Sequence, residues 1–372
     1  MKILLNNNNM SGLVNFRIDI ITHFLARGHE VVLVAPNDNP ELLNFLPAKA
    51  KLVPVSINRT SASISDNISY LKQLYHIFKA EKPDYIFNFT IKPNVFGAIA
   101  AKSLGIGNTC MMAGLGYSFS HNDLKSKIAR FLYRISMKCT QYIMVLNESN
   151  YNTIINKHLI KKDRIIWLKG GEGVNNKSYP FYDNSSSDST FTFIARLIPE
   201  KGYREFVGAA KEIKKKFNNI SFHVVGGLDT NYPNAITKAE VENDVKQGYI
   251  EYLGTFSDML EVYSRPGTVI TIPSYYSEGL NRSLMEACSC GKPIITTSIY
   301  GCKETVVDGV NGFIVEPKSV PSLVDAITRY IELSPEQKKQ MSIESRKLAE
   351  SRFDIQKVIA VYDDIIAQAK KS

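Results

Sequence analysis

The chain reads as an α/β protein made of two Rossmann-like domains, each a parallel sheet layered with helices. Three observations predict this. Short β-branched runs alternate with longer helical patterns through both halves of the chain, the mark of parallel α/β layers. A segment poor in aliphatic residues and rich in Gly, Ser and Asn, 171–189, separates the two series and is the best linker candidate. The 372 residues are enough to bury two ordinary cores. The expected domains are 1–175 and 190–352, with a last helix, 353–372, packing back toward the first domain. Two such domains are expected to face a central cleft, because open sheets bind ligands at the carboxyl ends of their strands.

In the first half, Ile3–Leu5, Glu30–Ala35, Lys51–Val55, Tyr85–Phe89 and Tyr142–Leu146 read as strands. Phe16–Ala26, Ile68–Ala80 and Val95–Leu104 carry helical periodicity between them. In the second half the strands are Thr190–Ala195, Ile220–Val225, Ile250–Tyr252, Thr268–Ile272, Pro293–Thr297 and Gly312–Val315. Helices there include Tyr203–Phe217 and Leu284–Cys290, and Asp354–Ala369 is a long terminal helix. No internal repeat is present.

Composition narrows the class. Hydrophobic content of 44% and charged content of 22% are those of a soluble globular chain. No apolar run approaches the length of a bilayer span, and Met1–Leu5 runs into Asn6–Asn9 without the apolar core of a signal peptide. Five scattered cysteines include Cys288 and Cys290 with no second ligand pair nearby, which fits buried thiols in a reducing compartment better than zinc. The net charge of +9 is uneven. Residues 1–180 hold 22 of the 45 Lys and Arg but 11 of the 36 Asp and Glu, so the first half is strongly basic and the rest nearly neutral. A basic first half points to an anionic partner: a lipid phosphate, a membrane surface or a nucleic acid.

The most informative stretch is 273–287, where Glu278 and Glu286 stand eight residues apart across a turn that becomes a helix. Glu278 and Gly279 fall at the carboxyl edge of the strand Thr268–Ile272, and Leu280, Leu284 and Ala287 recur at helical spacing. The amides of Leu280, Asn281, Arg282 and Ser283 would open that helix at the positive end of its dipole, a natural seat for phosphate. Glu286 lies two turns beyond Glu278 on the same face and can accept hydrogen bonds from a ribose. A second strand end carries two cations: Arg196 and Lys201 follow Thr190–Ala195 in the phrase Ala-Arg-Leu-Ile-Pro-Glu-Lys-Gly. Pro199 and Gly202 shape the turn between strand and helix. An Arg fork and a Lys point charge suit the negative charge that develops on a departing diphosphate. Carboxylates near a sugar and a ribose, with amides and cations for a diphosphate, outline a nucleotide-sugar site.

Other signals are weaker alone. Gly12, Gly226 and Gly254 follow strands, where a missing side chain permits close approach of a ligand to backbone. Thr90-Ile91-Lys92-Pro93-Asn94 and Gly114-Leu115-Gly116-Tyr117 would line the first domain's side of the cleft, with Lys92 the one cation. Residues 125–139 set Lys127, Arg130, Arg134 and Lys138 on one helical face, while Ile128, Phe131, Leu132 and Ile135 are expected to point elsewhere. Such a helix can lie on anionic lipid, or can pack on the core with a charged outer face. No aromatic-and-basic module argues for nucleic acid. Neither a Ser–His–acid set nor an Asp-x-Asp clamp at a strand end is present, so neither nucleophilic catalysis nor a required metal is expected.

Taken together, Glu278 to Glu286, Arg196 with Lys201, Gly254, Gly301-Cys302-Lys303-Glu304 and Asn311-Gly312 resemble the family-4 retaining glycosyltransferases. Their fold is GT-B. The resemblance covers nearly the whole chain and is strongest over 190–317. Within that family, the Thr-Ile-Lys-Pro-Asn and Gly-Leu-Gly-Tyr phrases are similar to those of bacterial enzymes of O-antigen, capsule and glycan-lipid assembly. Those enzymes add galactose, N-acetylgalactosamine or a related sugar to an undecaprenyl-diphosphate-linked acceptor.

The resemblance implies roles residue by residue. Arg196 and Lys201 would hold the donor diphosphate, Glu278 the sugar hydroxyls and Glu286 the ribose. The amides of 280–283 would complete the cradle, and Gly12, Gly226 and Gly254 would border it. Lys92, Asn94, Gly114, Gly116 and Tyr117 would meet the acceptor. Lys127, Arg130, Arg134 and Lys138 would rest on the anionic inner face of the cell membrane, making the enzyme cytoplasmic and peripheral. A UDP-sugar would be the donor substrate, with no cofactor and no nucleic acid partner. Three departures stand out. Met112-Ala113-Gly114 replaces a frequent histidine, Ser11-Gly12 replaces a glycine pair, and Asn281 replaces a frequent proline. A UDP-sugar 2-epimerase of related fold, or a non-catalytic sugar-nucleotide or nucleic-acid binder, are the alternative readings.

Overall fold

The computed structural model describes residues 1–371 apart from 60, 62, 114–123, 187, 231, 233, 277 and 278. The chain divides into two compact units, Met1–Glu172 with Ile355–Ser372, and Gly173–Asp354.

The first unit holds β1 (Lys2–Asn6), α1 (Met10–Ala26), β2 (Glu30–Ala35), β3 (Lys51–Pro54), α2 (Ile64–Glu81) and β4 (Tyr85–Phe89). It continues with α3 (Ala98–Ser103), β5 (Gly107–Met112), α4 (Leu124–Cys139), β6 (Tyr142–Val145), α5 (Glu148–Asn156) and β7 (Ile165–Trp167). The strands form one parallel sheet in the order β3-β2-β1-β4-β5-β6-β7. Strand order reverses between β1 and β4, so their carboxyl ends flank the switch point. Two strands were not expected from the sequence. Strand β5 (GNTCMM) is half polar, and β7 has only three residues, too few to show a period. Helix α1 begins six residues earlier than its periodicity indicates, because the Asn9 side chain caps it by accepting the Gly12 amide at 2.6 Å.

The second unit holds β8 (Ser189–Ile194), α6 (Tyr203–Lys214), β9 (Ile220–Val225), α7 (Lys238–Lys246), β10 (Glu251–Gly254) and α8 (Leu260–Tyr263). After these come β11 (Thr268–Ile272), α9 (Arg282–Ser289), β12 (Ile294–Thr297), β13 (Gly312–Val315), α10 (Val320–Ile331) and α11 (Pro335–Leu348). Its parallel sheet runs β10-β9-β8-β11-β12-β13, with the switch point between β8 and β11. The polar composition of α11 hides its period, yet Ser334 and Gln337 form a full capping box at its start. The segment 171–189 is not free-hanging. Asn184 is buried and bridges the Tyr330 hydroxyl and the Lys292 ammonium.

The last helix, α12 (Ile355–Ala369), belongs to the first unit's core. Tyr362 packs at 4.8 Å from Phe87 and at 6.1 Å from Phe24, and such burial stabilises by about 1.5–3 kcal/mol per aromatic ring. Where the chain leaves the first unit, the buried Glu172 carboxylate is paired with Arg17 of α1, whose guanidinium lies over Phe89 at 4.0 Å. Just beyond, Val174 bridges Asp354, so the segments entering and leaving the second unit run side by side.

Candidate active site

The second unit's switch point sets the turn that carries the predicted cations against the loop that leads from β11 into α9. Behind β8 the chain makes a 3-10 turn, Pro199–Lys201, ending at Gly202 with φ 86°. A Cβ on Gly202 would stand 2.3 Å from the Pro273 carbonyl, the first residue after β11. Only glycine permits both that φ and that approach. The Tyr275 amide then donates to the Glu200 carbonyl at 2.8 Å. From the other side, Thr296 of β12 donates to the Ile272 carbonyl at 2.7 Å, and Thr297 donates to that of Ser274. The loop after β11 is therefore held between β8 and β12. Lys201 is buried, with its ammonium 5.2 Å from the Tyr276 ring centroid.

Arg196 stands at the same sheet edge, its side chain 58% exposed and paired to Asp229 at 2.9 Å. Glu278 lies outside the described residues, as do Gly114, Gly116 and Tyr117.

Helix α9 opens at Asn281, whose side chain accepts the Leu284 amide at 3.2 Å. Asparagine caps well, which explains why it replaces the frequent proline without loss of the helix. One expectation for the amide cradle needs correction: the Asn281 amide is committed to the Gly301 carbonyl at 2.8 Å. The Leu280 side chain is core, packed with Ile272 and Leu284. Arg282 and Ser283 carry the first-turn amides that a helix cannot satisfy internally.

Glu286 is buried within a polar cluster of its own. Its Oε1 accepts from Arg282 Nε at 2.7 Å and from the Tyr179 hydroxyl at 2.7 Å, and the Tyr263 hydroxyl approaches Oε2 at 3.2 Å. Burial, reinforced by this carboxylate, raises the pKa of both tyrosines, so they stay neutral donors. Burial alone would weaken the Arg282 charge, but Glu286 beside it outweighs that and raises its pKa. Arg282 Nη1 also donates to the Gly173 carbonyl at 2.8 Å. The spacing of Arg282 and Glu286 was readable as a helical i,i+4 pair. Tyr179 and Tyr263 were not, since no local pattern joins them to α9.

Several glycines have local reasons. A Cβ on Gly226 would come 1.7 Å from the Ala195 carbonyl, and one on Gly12 would come 2.3 Å from Asn7 Nδ2. Neighbouring protein atoms crowd both positions: asparagine side chains at Gly12 and backbone at Gly226. Gly254, at φ 73°, has open space where its Cβ would be.

In the first unit, two residues assigned to the acceptor have structural tasks. Lys92 donates to the carbonyls of Asn58 at 2.7 Å and Ser61 at 2.8 Å, stapling the segment before α2. Asn94 is buried and donates to the Met111 carbonyl at 2.7 Å. Between them and β4, Thr90 holds φ 72°, a strained value for a β-branched residue. On α4, Lys127, Arg134 and Lys138 are exposed and Arg130 is half-buried. Contrary to expectation, Ile128 and Phe131 are exposed as well; the core-facing side is Tyr133, Ser136 and Met137. Among the described residues no group of His, Cys, Asp and Glu is arranged to hold a metal ion, and no helix is long and apolar enough to cross a membrane.

Comparison with known proteins agrees with this geometry. Residues 178–348 match the family described as Glycosyl transferases group 1, and residues 2–147 match Glycosyl transferase 4-like. This chain is a glycosyltransferase. It is 29% identical to the N,N'-diacetylbacillosaminyl-diphospho-undecaprenol alpha-1,3-N-acetylgalactosaminyltransferase of Campylobacter jejuni, covering 87% of each chain. It is 26% identical to the capsular polysaccharide biosynthesis glycosyltransferase CapM of Staphylococcus aureus, covering 90% of this chain and 88% of that one. A third relative, the UDP-Gal:alpha-D-GlcNAc-diphosphoundecaprenol alpha-1,3-galactosyltransferase of Escherichia coli, is 24% identical over 81% of this chain and 79% of its own. Among solved structures, a glycosyltransferase from Rickettsia africae superposes with a TM-score of 0.79 at 19% identity, covering 100% of this chain and 99% of the other. Anabaena HepE in complex with UDP gives 0.78 at 16% identity, covering 99% and 100%. The glycosyltransferase thus has the GT-B fold of two Rossmann-like parallel-sheet units.

Proposed function

We propose that this glycosyltransferase moves a hexose or N-acetylhexosamine, galactose or N-acetylgalactosamine favoured, from a UDP-sugar to an undecaprenyl-diphosphate-linked saccharide, with retention. The observation that supports the reading is the turn carrying Lys201, just past Arg196 at the end of β8, lying against the loop after β11 that leads into α9 and Glu286. The carriers and sugars in the relatives' names support the choice of acceptor and donor.

In this reading Lys201 and Arg196 face the donor diphosphate and offset the charge it gains as the glycosidic bond breaks. Arg196 would exchange part of its exposed pairing with Asp229 for phosphate, at little cost for an exposed ion pair. Glu286, kept in place by Arg282 and two tyrosines, accepts from the ribose hydroxyls, and Glu278 from the sugar. The acceptor hydroxyl attacks the anomeric carbon from the face the diphosphate leaves. Its proton passes to a diphosphate oxygen, so no protein base is needed and atoms and charge balance. Gly254 borders the donor from β10. The basic first unit meets the anionic inner face of the membrane, where such an acceptor is anchored, and the enzyme is cytoplasmic and peripheral. No metal or cofactor takes part.

The test is transfer from a panel of UDP- and GDP-sugars to a short-chain lipid-diphosphate saccharide, followed by anomeric analysis of the product. A retained linkage from one UDP-sugar, undiminished by a chelator, is the expected result. Conversion of the nucleotide sugar without acceptor would overturn it in favour of epimerisation.

A further inference from the structure

The two oxygens of the buried Glu286 carboxylate are held unequally. A carboxylate offers about four lone-pair sites, shared between its oxygens. On Oε1 they are taken by Arg282 Nε and the Tyr179 hydroxyl, each at 2.7 Å. Among the described residues, Oε2 meets the Tyr263 hydroxyl alone, at 3.2 Å. That hydroxyl has a single proton and also faces the Ser283 carbonyl at 3.1 Å. The two tyrosines reach α9 from separate segments. Tyr263 ends α8 and is fully buried. Tyr179 precedes β8, where Arg346 Nη1 of α11 donates to its carbonyl and to that of Ser289, both at 2.6 Å. Their rings stand 6.3 Å apart. Arg282 alone balances the charge of Glu286, so what the two hydroxyls add is direction.

We propose that Tyr179 and Tyr263 are positioning residues for the donor ribose: Tyr179 and Arg282 fill Oε1, and Tyr263 steadies Oε2 as the oxygen that the ribose meets. A glutamate side chain is rich in rotamers, and an unfixed carboxylate gives up that freedom when it takes a ligand. Here the freedom is lost on folding, so a ribose hydroxyl finds its acceptor already in place. When that hydroxyl takes Oε2, the Tyr263 proton can turn wholly to the Ser283 carbonyl, and no buried donor is stranded. The positioning role rests on the ribose assignment proposed above and names the side chains that set it.

Isothermal titration of the full chain with UDP and with 2′,3′-dideoxy-UDP tests it. The native chain should bind UDP at least ~10-fold more tightly than the dideoxy form. Y179F should weaken UDP about 10-fold and leave the dideoxy form within ~2-fold. Y179F/Y263F should show the same pattern with a larger loss. Both substitutions keep the rings, and unchanged thermal melting would show that the variants fold. Tyr179 is only half-buried, so Y179F alone decides the matter if the double variant melts early. In turnover the loss should fall on the KM of the sugar nucleotide, because the ribose is bound alike in ground and transition states. Equal weakening of both nucleotides by Y179F overturns the positioning role, as does native-like UDP binding by that variant. Native binding that ignores the ribose hydroxyls overturns it as well. Ribose-dependent binding without any sugar transfer would remove the transfer reading and leave the positioning role standing. The same pattern with GDP in place of UDP would change the base and leave it standing too.

Discussion

The two units share one strand order around their switch points, yet furnish those points differently. At the β1/β4 switch two neutral amides of the strands are turned on one another, and the buried Arg17–Glu172 pair lies over Phe89 with its charges matched. Asn6 Nδ2 donates to Asn88 Oδ1 at 2.8 Å, both residues are fully buried, and a Cβ on Gly97 would stand 2.0 Å from that same oxygen. At the β8/β11 switch the side chains are ionic. Lys201 and Arg196 follow one strand, and the Arg282–Glu286 pair sits on the helix after the other. One backbone plan therefore supports paired amides on the strands of one unit and cations just past the strand end in the other. Topology supplies a place for a ligand; the residues just past the strand ends decide its charge.

This contrast can be broken by experiment, beginning with the charged edge. Lys201→Ala should lower kcat about 10²–10³-fold with the fold retained, the range for losing one preorganised partner of developing charge. A variant that turns over like the native enzyme would show the ionic edge to be structural. Arg282→Ala strands the buried Glu286 carboxylate with only its tyrosines and should cost about 3–5 kcal/mol, read from urea unfolding. Arg282→Lys should recover part of this, since an ammonium restores the charge without spanning both Glu286 and Gly173.

Lys292 gives the comparison a pH dependence. It is fully buried in the second unit, bonded to the Asn184 side chain and the Arg265 carbonyl, and burial pushes its pKa down to about 8. The unfolded chain holds that proton up to about pH 10.4. Between roughly pH 8 and 10.4 the unfolded state thus binds more protons, so stability should rise across that window and be lowest below it. Lys292→Met should flatten this slope, as followed by urea titrations at several pH values. The smallest effect belongs to the amide switch. Asn88→Ala leaves Asn6 without its partner and should cost about 1–3 kcal/mol of stability. Its kcat should stay near native; a loss as large as that of Lys201→Ala would erase the distinction between the two edges.

The strands that could be read in advance are those whose periods are long and apolar, such as Val31–Ala35 and Thr268–Ile272. Strand β5 escaped because Asn108 and Thr109 are buried through hydrogen bonds to Cys139 and Tyr85, partners that no local pattern reveals. The same holds at the site. Spacing exposes Glu278, Glu286, Arg196 and Lys201 as candidates, and even the Arg282–Glu286 pair. The neighbours that tune them come from far along the chain: Tyr179 and Tyr263 on Glu286, Tyr276 over Lys201, and Asp229 against Arg196. At Gly12 and Gly226 the sequence records a missing side chain without recording what fills its place. The side chains of Asn7 and Asn9 fill it at Gly12, and the Ala195 carbonyl at Gly226.

By itself the amino-acid order determined the α/β class, the two series of strands and the candidates for binding a diphosphate and a sugar. These follow from local periodicity and from side-chain chemistry, both carried by neighbouring residues. Only the tertiary structure decided which of those side chains are committed to the protein, which face of α4 looks outward and what surrounds Glu286. Those outcomes depend on contacts between segments a hundred residues apart, and they are set by competition for burial rather than by spacing along the chain.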